Sequence, residues 1–356
     1  MLQITSKRSG LMAKVHCFTS ATFAYLDRVR VLAATLKAHH PDWDFTLCLS
    51  DQEPSGWHFD IAQERIDHLV RITELDLPDL PRFLFEHDVV ELCTAVKGAM
   101  LNRLLAGGAE KVIYLDPDIA VFGSLVEVVR LLDRHDILLT PHQLAPDEDR
   151  QAIQDNEMGT LKYGMYNLGF IAVANTDEGR RFGKWWAARL ATNCFDDVAD
   201  GIFTDQKWCD FVPAFFSGAH ILRDPGYNVA SWNLSKRPIT IDDEGVVRAG
   251  GSPLKFYHFT KVDWAGLRAI EFYAGDHIEM FELLNWYLRA LEANKPAGLP
   301  ERYWAYATYE DGSLITAQQR RIYRFDLSLR ERHPDPYRAG PQIFAAHVVD
   351  GSAAER

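Results

Sequence analysis

The chain has 356 residues, with 38 Lys plus Arg against 50 Asp plus Glu, a formal net charge of −12 and 47% hydrophobic residues. Such acidity without a dominant basic cluster argues against a nucleic-acid binder, because phosphate neutralisation needs concentrated positive charge. The apolar content lies far above that of disordered chains. No run of 18 uncharged apolar residues occurs, and the opening MLQITSKRSGLMAK lacks the apolar segment of a signal peptide. A cytoplasmic globular protein without a transmembrane segment is therefore expected. Five scattered cysteines without a CxxC pair fit a reducing compartment.

In chain order, AKVHCFTS reads as a buried strand. AYLDRVRVLAATLKAHH follows as an amphipathic helix with Leu26, Val29, Leu32, Ala33 and Leu36 at helical spacing, and DFTLCLSD as a second strand ending on Asp51. This βαβ opening predicts a parallel sheet with ligands at the carboxyl ends of its strands. HDVVELCTAVKGAMLNRLLAGGA predicts one helix ended by Gly107 and Gly108, and KVIYL a buried strand ending on Asp116, Pro117 and Asp118. SLVEVVRLLDRH reads as a helix, DILLTPH as a strand, and the acidic run from Pro146 to Gly159 as a solvated loop or short helix over the site. MYNLGFIAVAN reads as a strand, EGRRFGKWWAARLA as a helix, and FTDQKWCDFVPAFF as a helix ending near Pro213. YNVASWNL is a polar-aromatic loop, PITIDDEGVVRAG a hairpin and LKFYHF a strand.

Past residue 275 the text turns to aromatic helices, which divides the chain into a main domain, 1–275, and a helical extension, 276–356. Residues 318–338 hold six Arg against two Asp and one Glu, so this tail either packs on the domain through its arginine stems or touches an anionic membrane surface peripherally.

Asp-x-Asp occurs three times, at Asp42/Asp44, Asp116/Asp118 and Asp147/Asp149. Only the middle pair follows an apolar strand-like run and precedes another apolar stretch. Pro117 biases Asp116 toward an extended conformation, where positions i and i+2 face one side, so both carboxylates can converge on a hard cation. Solvated turn aspartates flank a proline just as readily, and spacing alone leaves the two readings open.

Other segments bear on that choice: YNLGFIAV from Tyr166, TDQ at 204–206, and LKFYH ending on His258. With VHCFTS and YLDPD in this order, the chain from about Lys14 to His258 resembles the GT-A fold glycosyltransferases that use nucleotide sugars, most closely the retaining, family 8-like group. The resemblance implies an α/β, Rossmann-like fold with a mixed, mainly parallel central sheet flanked by helices. It implies that Asp116 and Asp118 bind a divalent metal with His258 as third ligand, a donor set suited to Mn²⁺ (or Mg²⁺) rather than Ca²⁺. It further implies transfer of a hexose, with retention, from a nucleotide sugar such as a UDP-hexose to a saccharide or glycolipid acceptor.

By the same resemblance, Thr19, Ser20, Tyr25 and Asp51 hold the base and ribose, and Lys97 and Lys261 reach the diphosphate or sugar. Asn167, Gly169 and Asp116 line the donor site. Gln206 presents its oxygen to the reacting carbon, or Asp205 serves as nucleophile. Each has a plainer reading: Asp51 as a cap or turn residue, Lys97 as a surface lysine, His258 as a satisfied core imidazole, and TDQKW as a helix start. The family commonly follows its metal His with Gly and then Lys-Pro-Trp, whereas this chain reads HFTKVDW. Trp185, Trp186, Trp208, Trp232, Trp264 and Tyr227 offer flat faces for sugars. Trp232 and Tyr227, in a polar loop, are the preferred contacts, and Trp185 and Trp186 the expected core. A nucleotidyltransferase, a nucleotide-sugar hydrolase and a non-catalytic carbohydrate-binding protein remain open as alternatives.

Overall fold

The computed structural model describes residues 14–262 and 265–347. The N-terminal stretch on which the leader reading rests, and Trp264, lie outside the described residues. The opening βαβ unit forms as expected: β1 (Val15–Ala21), α1 (Leu26–His39) and β2 (Asp44–Leu49). The helical-period residues Leu26, Val29, Leu32, Ala33 and Leu36 are all at most 1% exposed, because that face lies on the sheet. An edge strand, β3 (His68–Arg71), pairs parallel to β2. It was not anticipated, since only four residues of HLVR carry its pattern.

A short helix, α2 (Leu80–Glu86), precedes the run expected as a single helix before the Asp-x-Asp segment, and that run is two pieces, α3 (Val89–Ala95) and α4 (Lys97–Ala106), parted at Val96. Asp88 starts α3 by accepting the Val90 and Glu91 N–H groups at 2.8 Å each, while Glu91 answers the Asp88 N–H at 2.9 Å. This reciprocal cap fixes the helix start where the expected run begins. Strands β4 (Lys111–Leu115) and β5 (Ile119–Val121) flank the Asp-Pro-Asp turn, followed by α5 (Val126–Leu131) and β6 (Ile137–Pro141). The acidic run beyond is helical, with a π turn at Ile153–Glu157 between α6 (Arg150–Ala152) and α7 (Met158–Tyr163).

Next come β7 (Tyr166–Ala174), α8 (Asp177–Asn193), a two-residue ribbon β8 (Asp196–Asp197) with β9 (Ile202–Phe203), α9 (Val212–Phe215) and β10 (Ala219–Ile221). Pro213, expected to end a helix, instead sits in the first turn of α9, where its missing N–H leaves no bond unmade. The main sheet runs β10-β6-β7-β4-β1-β2-β3. Every pairing is parallel except those of β7, which is antiparallel to both β4 and β6. The mixed, mainly parallel α/β sheet is therefore the one expected.

A second, small sheet decides where the site forms. It comprises β11 (Val229–Ala230), β15 (Phe256–His258) and β5, lying beyond the hairpin β12 (Ile239–Ile241) and β13 (Val247–Ala249) and the short β14 (Ser252–Pro253). The chain closes with α10 (Ala265–Tyr273), α11 (Ile278–Ala293), α12 (Ala317–Phe325), α13 (Leu327–Arg332) and α14 (Pro336–Ala339). Met280, Leu284 and Tyr287 of α11 share a core with Val31 of α1 and Ala120 of β5.

The arginine-containing tail packs inward. Arg320, 4% exposed, donates to the carbonyls of Phe85 and His87 at 2.8 Å and of Tyr306 at 2.6 Å, occupying the carboxyl end of α2. Arg324 reaches the Glu91 carboxylate at 2.7 Å. These two guanidinium groups are thus withheld from any lipid surface. Among the described residues, no helix is long and apolar enough to cross a membrane.

Candidate functional site

The Asp-Pro-Asp segment is a tight turn rather than an extended run, because the Ile119 N–H donates to the Asp116 carbonyl at 3.1 Å. The turn, not strand periodicity, therefore aims both carboxylates at one point. Its first arm is fixed by β7, whose Gly169 carbonyl accepts the Asp116 N–H at 2.8 Å. Its second arm is fixed by β15, which pairs antiparallel to β5 with His258 opposite Ile119, while the Phe259 N–H donates to the Asp118 carbonyl at 2.8 Å. Residues 140 positions apart in sequence meet through that ladder.

His258 Nε2 lies 3.0 Å from Asp118 Oδ1 and 3.6 Å from Asp116 Oδ2. One ligand atom from each of the three residues falls within 4.8 Å of the others. His258 Nδ1 faces the Asn167 Oδ1 at 3.2 Å. Donation from Nδ1–H to that oxygen selects the tautomer whose Nε2 lone pair points at the two carboxylates, the arrangement of a metal-ligating imidazole with its outer partner. The donor set, two carboxylates and an imidazole, fits a divalent ion of the Mn²⁺ type. Burial pulls the His258 imidazole down, but Asp118 and then Asp116 carry it above its usual value. Burial pushes Asp118 up, and His258 with Arg28 draws it below.

Asn167, expected as a sugar contact, organises this corner. Its Oδ1 accepts from the Gly169 N–H and from Asn228 Nδ2 at 3.0 Å each, besides facing His258. Gly169 has its own reason to lack a side chain: a Cβ there would fall 2.4 Å from His258 Cε1 and 2.8 Å from Asn167 Oδ1. Gly169→Ala is expected to cost about 1–3 kcal/mol through overpacking and to abolish any Mn²⁺-induced rise in melting temperature, measured by urea unfolding and thermal shift.

Lys97 is not the surface lysine its plainer reading suggests. It is 2% exposed, with Nζ 2.9 Å from Asp205 Oδ2, 3.2 Å from Asp116 Oδ1 and 4.2 Å from the Tyr114 ring centroid. It also donates to the Leu168 carbonyl at 3.1 Å. Burial alone would lower the ammonium, and Asp116 and Asp205 more than offset it, so the group stays charged. Thr204, immediately before Asp205, sits at φ +43, a conformation that a β-branched residue adopts only under constraint. Its hydroxyl donates to Asp205 Oδ1 at 3.2 Å.

These groups line a cavity of about 680 Å³, together with Ser20, Tyr25, Trp232 and Lys261. Lys261 adopts φ +50 in the loop after β15, and its carbonyl accepts the Gly266 N–H at 2.8 Å. Gln206 lines the cavity too, but its Oε1 already accepts from the Leu168 N–H at 3.2 Å and Asn167 Nδ2 at 3.3 Å. Held by these two donors, it ties β7 to α7, whose Tyr163 carbonyl accepts from its Nε2 at 3.1 Å.

Three expected contacts lie elsewhere. Thr19 is fully buried within β1, behind the cavity wall. Asp51, 1% exposed, accepts three backbone N–H groups: Ala305 at 2.8 Å, Gln52 at 2.9 Å and Phe23 at 3.1 Å. It is a junction between chain segments, buried away from a ribose. Burial pushes its carboxyl up to about 6 against those donors. Tyr227 is core, edge-on to Phe256, whereas Trp232 reaches the cavity with its ring edge-to-face on His258 at 5.3 Å. Trp186 is fully buried, as expected, and Trp185 packs against Phe215 and Phe216.

Two further residues were missed. Tyr114 donates to Asp116 Oδ1 at 2.5 Å and presents its ring to Lys97. Its signal is position i−2 from Asp116 on a strand, the same face. His142 lies 3.3 Å from Asn167 Nδ2 and edge-on to Trp232, but nothing in TPH distinguishes it from a loop histidine.

No family model matches the chain. Among curated proteins, the uncharacterized protein YfnF of Bacillus subtilis (strain 168) is 28% identical over 202 residues, covering 54% of this chain and 64% of YfnF. The match therefore spans less than two thirds of that relative. The uncharacterized protein YfnD of the same organism is 23% identical over 253 residues, 70% of this chain and 78% of YfnD. Among solved structures, the chain is similar to the galactosyltransferase LgtC in complex with donor and acceptor sugar analogues, at 15% identity and a TM-score of 0.40 over 81% of this chain and 98% of that one. An active-site mutant of LgtC, with Glu in place of Gln, gives 15% identity and a TM-score of 0.42 over 72% and 94%.

Proposed function

We propose that this chain is a glycosyltransferase that depends on a divalent metal and moves a hexose, with retention, from a nucleotide sugar, UDP-hexose first, to a saccharide or lipid-linked acceptor. The observation that carries this reading is the convergence of Asp116, Asp118 and His258 on the wall of a cavity that also holds the buried Lys97–Asp205 pair. Asp116, Asp118 and His258 would hold the ion. When bound, Mn²⁺ or Mg²⁺ supplies a counter-charge for a departing nucleoside diphosphate. Ser20 and Tyr25, at the carboxyl end of β1, face the donor's nucleoside, and Lys261 its phosphates. Lys97 holds Asp205 ionised beside the cavity, where its carboxylate accepts sugar hydroxyls. Asn167 fixes the His258 tautomer, and Trp232 offers a flat apolar face to a sugar ring.

Gln206, its oxygen engaged by two N–H donors of β7, positions β7 and α7, and the direct sugar contact falls to Asp205. This differs from the role the sequence resemblance implies for Gln206. The test is incubation with UDP-glucose, UDP-galactose and GDP-mannose, each with and without Mn²⁺. Thermal shift reads donor binding, since a ligand of the native state raises the melting point, and chromatography reads the products. Release of a nucleoside diphosphate supports transfer, and pyrophosphate chemistry supports a nucleotidyltransferase. If Mn²⁺ leaves the melting point unchanged with every one of these donors, the reading fails.

A further inference from the structure

At the opposite ends of the strands from this cavity, three chemistry-bearing side chains converge that the proposed reaction does not use. His16 lies near the start of β1, Asp44 begins β2 and His68 begins β3. Parallel pairing sets His16 beside Asp44 and His68 beside Thr46. Since residues two apart share a sheet face, the register stands all four side chains on one surface.

We propose that His16, Asp44 and His68 form a second metal site, for a divalent transition ion of the zinc class. One ligand atom of each lies within 4.8 Å of the other two. Asp44 Oδ2 is 3.7 Å from His16 Nδ1, and Asp44 Oδ1 is 3.7 Å from His68 Nε2. These gaps exceed a hydrogen bond. They approach the separation of about 3.4 Å between two ligands that each sit some 2.1 Å from a tetrahedral ion. His16 Nε2 lies 2.7 Å from the Thr46 hydroxyl in a buried contact. Donation from Nε2–H to that oxygen leaves the Nδ1 lone pair facing Asp44, the outer-partner geometry that orients metal-binding imidazoles.

Two nitrogens and one oxygen suit zinc over the oxygen-seeking Mg²⁺ or Ca²⁺. His68, its side chain 52% exposed, leaves the fourth position to water. Lys14, 3.9 Å from Asp44 with its side chain 57% exposed, can turn into solvent as the ion enters. An ion here would staple the edge strand β3 to the two strands inside it, at a distance from the cavity.

The test is zinc binding by equilibrium dialysis on the full chain after chelator treatment, in an Asp118→Asn background so that the cavity contributes no complete donor set. The expected result is a single bound zinc per chain and a zinc-dependent rise in melting temperature. Both should be lost in Asp118→Asn/His68→Ala and in Asp118→Asn/Asp44→Asn, which keeps the side-chain volume should the first variant fold poorly. Absence of bound zinc in the Asp118→Asn background, or retention of it in both double variants, would overturn the proposal. Either outcome leaves the glycosyltransferase reading untouched, because that is read separately from donor binding at the cavity with Mn²⁺.

Discussion

Asp118→Asn is expected to lower transfer by at least about 100-fold, on the scale of losing one preorganised charge-stabilising group, and to erase the Mn²⁺-dependent rise in melting temperature. The substitution is nearly isosteric, and the Asp118 backbone carbonyl that accepts the Phe259 N–H is untouched, so the turn and the β5–β15 ladder should survive. What changes is charge. The carboxylate 3.0 Å from His258 Nε2 becomes a neutral amide, and only Asp116 and the imidazole remain for the cation. Chelation of the wild-type protein by EDTA should produce the same loss, reversed by added Mn²⁺. Circular dichroism and urea unfolding check that the fold holds, and initial rates of nucleoside diphosphate release check the chemistry. Full activity in Asp118→Asn with unchanged Mn²⁺ dependence would remove the metal from the mechanism.

The site was legible in proportion to how local its signals are. YLDPD announced both carboxylates because a buried strand running straight into a proline-flanked acidic pair is visible within five residues. The way they converge was not visible, since Pro117 favours an extended neighbour and a turn about equally and the Ile119 N–H decides the matter in three dimensions. His258 was visible only through the order of motifs, because its partnership with Asp118 depends on a three-residue strand pairing with another three-residue strand. Thr19, Asp51 and Tyr227 show the opposite limit. Each stands at a strand end or in a polar-looking segment, yet Asp51 meets the Ala305 N–H from 254 residues away, a contact no window of sequence contains. The main sheet was readable because burial on both faces leaves uninterrupted apolar runs. The reversal of β7 was not, because a buried strand reads alike in either direction.

Lys97→Met should be the most destabilising change at this site, by about 3–5 kcal/mol, the cost typical of removing one partner from a buried ion pair. Methionine fills a similar unbranched volume, so packing against Tyr114 and the helix face is largely kept. The loss is electrostatic: Asp205, its side chain 3% exposed, keeps a carboxylate with no cation beside it, and the Leu168 carbonyl loses its donor. Burial already raises the Asp205 carboxyl, and without Lys97 nothing comparable opposes it. A carboxyl whose folded value lies above its unfolded one stabilises below the unfolded value and loses that contribution as pH rises through the folded value. The deficit of Lys97→Met relative to wild type should therefore be largest near neutrality and shrink as the solution is acidified toward the ordinary carboxylate range. Replacing the orphaned charge in Lys97→Met/Asp205→Asn should restore at least about 1 kcal/mol over the single variant, a non-additivity expected of groups in contact, while transfer stays low because the sugar loses its acceptor. Urea unfolding at neutral and mildly acidic pH, beside donor-binding thermal shifts, measures each part. A Lys97→Met protein within about 0.5 kcal/mol of wild type at neutral pH, the range of an ordinary surface substitution, would mean that the ammonium does not hold Asp205 in its charged, cavity-facing state.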